Sequence, residues 1–205
     1  MKIRLLKIFL ISFIIIFALL NGRFLYANIS YLASSGSLPP SKISNSDKPA
    51  VVGNKKNKTV PDKATLYVEH LGIVAPIIFN VAADQNSIYQ NLENGVVHYS
   101  NSPKPGMEGV SLILGHSSAY PWYQGQYGSV FALIGKLSPG ETFYIKYEDG
   151  QTFTYRIKQS VVFSPFSNDE RLTEIEKAPG STLVLISCWP IGTNYKRIAI
   201  QAELI

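Results

Sequence analysis

Cys188 is the only cysteine among 205 residues, and it stands where an apolar run stops. Thr182 to Ile186 follows the turn signal Pro179-Gly180 and reads as a buried strand. Pro190 has no N–H to donate and biases Trp189 to an extended or turn conformation, so strand pairing is expected to end there. A second β-like run, Lys196 to Leu204, begins beyond it, with eight residues between Cys188 and Arg197. If the two runs form an antiparallel hairpin of symmetric register, Cys188 and Arg197 stand opposite each other and point to one face. A free thiol, with a pKa of roughly 8.5, is only slightly ionised at neutral pH, and a nearby cation raises the thiolate fraction. A guanidinium presents a fork of donors suited to an oxyanion. A thiol and a guanidinium at the mouth of a sheet thus suggest nucleophilic chemistry.

Such chemistry also needs a group that exchanges a proton. His116 is the best placed of three histidines: Val110 to Leu114 is another buried-strand run, broken by Gly115-His116-Ser117-Ser118. His98, in Val96-Val97-His98-Tyr99, reads as a packed or solvent-facing strand histidine. His70 lies near a turn with no evident partner. Taken singly, a free cysteine is more often buried and inert than reactive. The ordered set of His116, Cys188 and Arg197 carries the functional reading.

Leu112-Ile113-Leu114-Gly115-His116, then Leu185-Ile186-Ser187-Cys188-Trp189-Pro190 and Lys196-Arg197, resemble the motifs of the sortase family of cysteine transpeptidases, in that family's order. The resemblance runs from about Ala64 to the C-terminus. Leu66 to Ile78, Gly95 to His98, Pro105-Gly106 and Leu137 to Glu141 add to it. Cys-Trp-Pro with a short spacing to Arg resembles the class D and class E-like branches. Ser187 stands where many sortases carry Thr, and it keeps the hydroxyl. The resemblance implies Cys188 as nucleophile and acyl-thioester carrier, His116 as general acid/base, and Arg197 for the oxyanion and substrate positioning. It further implies Ser187 and Trp189 as substrate contacts. The implied reaction cleaves an LPxTG-like sorting signal and transfers the protein to an amine acceptor, either a peptidoglycan cross-bridge or a pilin Lys.

The elements that must position these residues are mostly strands: Thr65–Glu69, Ile73–Phe79, Val110–Leu114, Glu141–Tyr147, Gln151–Val162, Thr182–Ser187 and Lys196–Leu204. Glu148-Asp149-Gly150 reads as a hairpin turn. Asp84 is placed to cap a short helix running through Leu92 and ending at Gly95. A second short helix is expected over Val130 to Ile134. Many strands with few helices predict an all-β fold, a small closed or nearly closed barrel, which is also the sortase-like fold the resemblance implies. Pro165 to Gly180 carries Asp169, Glu170, Glu174 and Glu176 without a defined ligand spacing, so a solvated face is expected there and not a metal site. No metal or organic cofactor is expected. Trp122, Tyr123, Tyr127 and Phe131 follow His116 and are candidates either for the same groove or for packing.

The hydrophobic content of 46% with 16% charged residues is that of a globular chain. Its net charge of +5 is unevenly placed: residues 1–60 carry +8 and residues 61–205 carry −3. The folded part therefore lacks the basic footprint of a nucleic-acid binder. Lys2, Arg4 and Lys7 precede the apolar run Ile8 to Leu20, which reaches membrane-spanning length when extended to Ala27. A cleaved signal peptide competes with this reading. The resemblance favours a signal anchor at 1–27, a single-pass span of the cell membrane with the C-terminal domain outside. A flexible extracytoplasmic linker is expected over 28–61 and the catalytic barrel over 62–205. Two alternatives remain at this stage: a hydrolytic cysteine peptidase with the same dyad, and a membrane-anchored β-barrel binding module without catalysis.

Overall fold

The structure, a computed structural model, describes residues 4, 6–17, 19, 61–120, 123 and 125–205. The expected linker (apart from Pro61), part of the expected anchor and Trp122 lie outside the described residues. Residues 6–17 are helical. Among the described residues no helix is long and apolar enough to cross a membrane.

In chain order the elements are β1 (Lys63–Val68), β2 (Ile73–Ile78), α1 (Gln85–Asn91), β3 (Val96–His98), β4 (Gly109–Leu114), β5 (Thr142–Tyr147), β6 (Thr152–Phe163), α2 (Glu170–Glu176), β7 (Ser181–Trp189) and β8 (Lys196–Leu204). The strands close into a barrel in the order β1-β2-β3-β4-β7-β8-β6-β5. The closed barrel expected from the strand pattern is what forms. β3 is a short strand beyond the seven predicted runs, and it pairs parallel with β2 and antiparallel with β4.

Alternation along the strands sorts side chains between the barrel interior and its outer surface. On β5, Phe143, Ile145 and Tyr147 are buried, and on β1, Ala64, Leu66 and Val68 are. They join Ile113, Leu183, Leu185 and Ile200 in one interior core. β7 differs, because both of its faces are covered. Val184 and Ile186 point outward into a second cluster with Val161, Ala199, Ile175 and Leu172, the last two from α2. A strand buried on both faces reads as an unbroken apolar run, which is why Thr182 to Ile186 shows no alternation.

Two short helices pack outside the barrel. α1 forms as expected from its cap: the Asp84 side chain accepts from the Ser87 N–H at 2.9 Å. Its Ile88 joins Leu92, Val81 and Val97 in a third small cluster. α2 occupies the acidic stretch that was expected to be a solvated loop. Asp169 caps it, accepting from the Arg171 backbone N–H at 3.1 Å and pairing with the Arg171 guanidinium. The helix expected at Val130 to Ile134 is instead a set of turns leading into a single 3-10 turn at Ile134–Lys136.

The loop before β4 is pinned by buried groups. The Ser111 hydroxyl donates to the Pro103 carbonyl at 2.6 Å, Tyr147 donates to the Pro105 carbonyl at 2.9 Å, and the Gly106 N–H donates to the Tyr155 hydroxyl at 2.6 Å. Gly106 has φ +88°, and a side chain there would drive a Cβ to 2.5 Å from the Phe153 ring. His98 belongs to this packing: it is 3% exposed, its Nε2 is 3.0 Å from the Pro103 carbonyl, and its ring lies against Phe79. His70 has a partner after all, Glu141, at 2.5 Å.

Burial holds the His98 pKa below its ordinary value, with the Pro103 hydrogen bond opposing and the Lys104 charge adding to the depression. The unfolded chain therefore takes up a proton near pH 6.5 that the folded chain resists, so stability is lost as pH falls through that value. His116, also depressed by burial, adds an effect of the same sign. Urea unfolding followed by circular dichroism should show a lower midpoint at pH ~5.5 than at pH ~7.5, with a smaller drop in His98→Gln.

Candidate active site

The site is assembled where β4 ends beside the last residues of β7. The two strands pair in parallel with Leu114 beside Ile186, and the Gly115 N–H continues the ladder to the Ile186 carbonyl at 3.1 Å. The Ser187 hydroxyl then donates to the Gly115 carbonyl at 2.7 Å. Gly115 is required by its surroundings, since a Cβ there would come within 2.4 Å of the Phe131 ring. The Phe131 N–H in turn donates to the His116 carbonyl at 2.8 Å, fixing the backbone from which the imidazole projects.

β7 and β8 pair antiparallel in the register expected from the eight-residue spacing, with Cys188 directly opposite Arg197. Cys188 is half-buried. The Arg197 guanidinium is held by its own loop, its Nη1 donating to the carbonyls of Asn194 at 3.0 Å and Lys196 at 2.9 Å. That loop is shaped by a Thr193 to Pro190 turn, closed by both the Thr193 N–H and its hydroxyl. It is also tied across to the β4 side, where the Gly192 N–H donates to the Ser118 hydroxyl at 3.1 Å.

Cys188, His116 and Arg197 all line one cavity of about 1190 Å³. No hydrogen bond joins Cys188 to either partner among the described residues. The imidazole lies between two rings, Tyr89 and Tyr123, each edge-on with centroids 5.4 Å away. Its Nε2 is buried without a hydrogen-bond partner. Burial pushes the His116 pKa below the ordinary value, and the negative charge of Glu93 partly opposes this. At neutral pH the ring is therefore mostly neutral.

The two expected substrate contacts are placed differently from that triad. Ser187 reaches the cavity wall but is 3% exposed, and its hydroxyl is committed to the Gly115 carbonyl. Trp189 does not line the cavity. It follows Leu183 and Leu185 in alternation and packs against the interior core, its ring over Gly135, where a Cβ would approach it to 2.8 Å. Of the aromatics after His116, Tyr123 touches the imidazole, whereas Phe131 is core. Tyr89, on α1 and 27 positions before His116 in the chain, was not among the candidates. Its role comes from packing between elements distant in sequence, for which the helical pattern of α1 alone holds no signal.

The sequence profile of the Sortase domain matches residues 66–205. The chain belongs to the sortase family. Sortases are cysteine transpeptidases, and the single cysteine of this one is the penultimate residue of β7, lining one cavity with His116 and Arg197. No curated protein matches the sequence. Solved structures share the fold at low identity. Sortase C-1 from Actinomyces oris is 24% identical with a TM-score of 0.54, over 69% of this chain and 72% of that one. Sortase A from Corynebacterium diphtheriae is 22% identical with a TM-score of 0.56, over 73% of this chain and 63% of that one. The pilus-related sortase C of Group B Streptococcus is 23% identical with a TM-score of 0.55, over 75% and 77%.

Two outcomes follow from this sortase's geometry. Glu93→Gln removes the charge that favours the imidazolium, so the His116 titration followed by NMR should move to lower pH. Ser187→Ala removes the tie between the two strand ends and should cost about 1 kcal/mol in urea unfolding.

Proposed function

We propose that Cys188, His116 and Arg197 carry a two-step transpeptidation of LPxTG-like sorting signals. The observation behind this reading is that the Cys188–Arg197 cross-strand pair and His116 open onto one cavity. In the first step the neutral His116 imidazole takes the Cys188 thiol proton, and the resulting thiolate attacks the carbonyl carbon of the sorting-signal Thr. The C–N bond to the next residue breaks, and His116 gives its proton to the departing amine, leaving a thioester on Cys188. In the second step an acceptor amine attacks the thioester. His116 takes the amine's proton, an amide forms, and the thiolate is regenerated. Arg197 steadies the oxyanion in both steps with its remaining donors, Nε and Nη2. Ser187 serves this chemistry through the Gly115 carbonyl, and Trp189 by closing the barrel end beneath Cys188.

The acceptor class is a peptidoglycan cross-bridge amine or a pilin Lys, and the donors are surface proteins bearing the sorting signal. The Cys-Trp-Pro sequence and the short spacing to Arg197 support a class D or class E-like branch, alongside structural neighbours named as sortases A and C. The basic flank and apolar run of residues 1–27 support a single-pass anchor in the cell membrane with the barrel outside.

Incubating the full-length chain with LPxTG-, LPxTA- and LAxTG-type peptides, with and without a small amine, tests the reading by intact mass spectrometry. A thioacyl adduct that is absent in Cys188→Ala, with an amide product when amine is supplied, is the expected result. Release of free acid alone despite added amine would instead indicate a hydrolytic peptidase. Arg197→Ala should lower kcat/KM by roughly 10²–10³-fold while Cys188 still reacts with an alkylating agent. Near-normal turnover in that variant would remove Arg197 from the mechanism.

A further inference from the structure

We infer that Tyr89 and Tyr123 form an aromatic clamp that fixes the orientation of His116 and shields it from water, making both of them positioning residues for the acid–base step. The inference rests on His116 being the proton-exchanging group, and three independent features of the structure carry it.

The first is the geometry at the imidazole. Tyr89 approaches with an interplanar angle of 79° and Tyr123 with one of 84°, both at 5.4 Å between centroids. Edge-to-face contacts at this distance are favourable and directional, so two of them restrict ring rotation more than one does. Among the described residues its buried Nε2 has no hydrogen-bond partner that would orient the ring. In many acid–base sites a third hydrogen-bonded group orients the histidine. Here aromatic packing takes over that task.

The second feature is that the two arms are fastened together. The Tyr123 hydroxyl donates to the Leu92 carbonyl at 2.9 Å. Leu92 is the C-terminal cap of α1, the helix that carries Tyr89. The loop after β4 and the helix before β3 are thereby joined around the imidazole, and α1 itself is seated on the barrel through Ile88 and Leu92.

The third feature is a seat built for the Tyr123 ring. A Cβ at Gly125 would come to 2.6 Å from the Tyr123 hydroxyl, and one at Gly128 to 2.8 Å from its ring and from Ala119. Two glycines thus leave the space that one tyrosine fills. A merely solvent-facing aromatic would not need this.

Several charged or titratable groups surround the clamped ring. Tyr89 and Glu93 come from α1 and the turn after it, Tyr123 from the loop following β4, and Cys188 and Arg197 from the β7–β8 hairpin. Of these, Glu93 favours the imidazolium, while enclosure disfavours it. Opening the clamp should rehydrate the charged ring and raise its pKa.

The test uses the full-length chain with ¹³C-labelled histidine, its His116 resonance identified by loss in His116→Gln. Tyr89→Ala and Tyr123→Ala should each move the His116 titration upward, toward the ordinary value near 6.5. Each should lower kcat about tenfold or more with little change in KM, and shift the pH profile of kcat in the same direction as the titration. Tyr89→Phe should retain the wild-type titration, because the ring is kept. Gly128→Ala, which drives a methyl into the Tyr123 seat, should behave like Tyr123→Ala. Tyr89 is 46% exposed, so Tyr89→Ala keeps the test open if Tyr123→Ala fails to fold. An unchanged His116 titration in folded Tyr89→Ala would overturn the clamp, as would a Tyr89→Phe variant as impaired as Tyr89→Ala. The titration needs no substrate, so a failed clamp is distinguishable from a failed assignment of the reaction.

Discussion

The parallel pairing of β4 with β7 is the constraint on which the site depends. Six register pairs, Gly109 with Ser181 through Leu114 with Ile186, hold the strands side by side, so the residues that follow Leu114 leave the ladder next to Ser187 and Cys188 of β7. The Ser187 hydroxyl on the Gly115 carbonyl extends that contact one residue past the ladder, across 72 positions of sequence. With the Gly115 N–H on the Ile186 carbonyl, it keeps the backbone carrying His116 beside the backbone carrying Cys188. Backbone hydrogen bonds are individually modest, about 1 kcal/mol net, but a continuous ladder sets position far better than any one side-chain contact does. The cost of this arrangement falls on β7, which must be apolar on both faces and therefore needs α2 to cover Val184 and Ile186.

The electrostatics of the site follow from the same placement. An imidazole projecting from a strand end, between α1 and the loop after β4, loses part of its hydration. Burial therefore depresses its pKa, and the nearby Glu93 carboxylate only partly restores it. The Arg197 guanidinium remains charged and meets backbone carbonyls of its own loop. A cationic fork thus stands opposite the thiol, with an imidazole of depressed pKa lining the same cavity.

Much of this was legible from the sequence where the information was local. The Cys188–Arg197 pairing could be read because a hairpin with an eight-residue connection has a natural symmetric register, and turn geometry ties register to spacing. Closure into a barrel could be read from the density of strand runs and turn signals. The parallel contact of β4 and β7 has no such local signal, and the bond between Ser187 and Gly115 could not be inferred from spacing. Trp189 was a substrate contact only by the resemblance; adjacent residues on a strand face opposite sides, so it and Cys188 point apart. Its side thus follows from the alternation of Leu183 and Leu185. α2 was obscured by its charge: Asp169 through Glu176 resembles a solvated loop, and only Ile175 and Leu172 reveal an apolar side. The short α1 was found through its Asp84 cap, but the reach of Tyr89 to His116 depends on how the helix lies against the barrel.

β4 connects two differently built ends of the molecule. At its start, Gly109 donates to the Gly180 carbonyl, and Ser111, Tyr147 and Tyr155 bind the preceding loop through buried hydrogen bonds. Those side chains are buried, and losing Tyr147 or Tyr155 would leave the Pro105 carbonyl or the Gly106 N–H without its partner, so this end behaves as a fixed base. At its far end the same strand releases into Gly115-His116, where contacts are of a lighter kind: ring edges, one serine tie and a loop-to-loop bond from Gly192 to Ser118. Cys188, beside that end, already lines an open cavity of about 1190 Å³. One strand is thus anchored through its buried base while its other end presents His116 to that cavity.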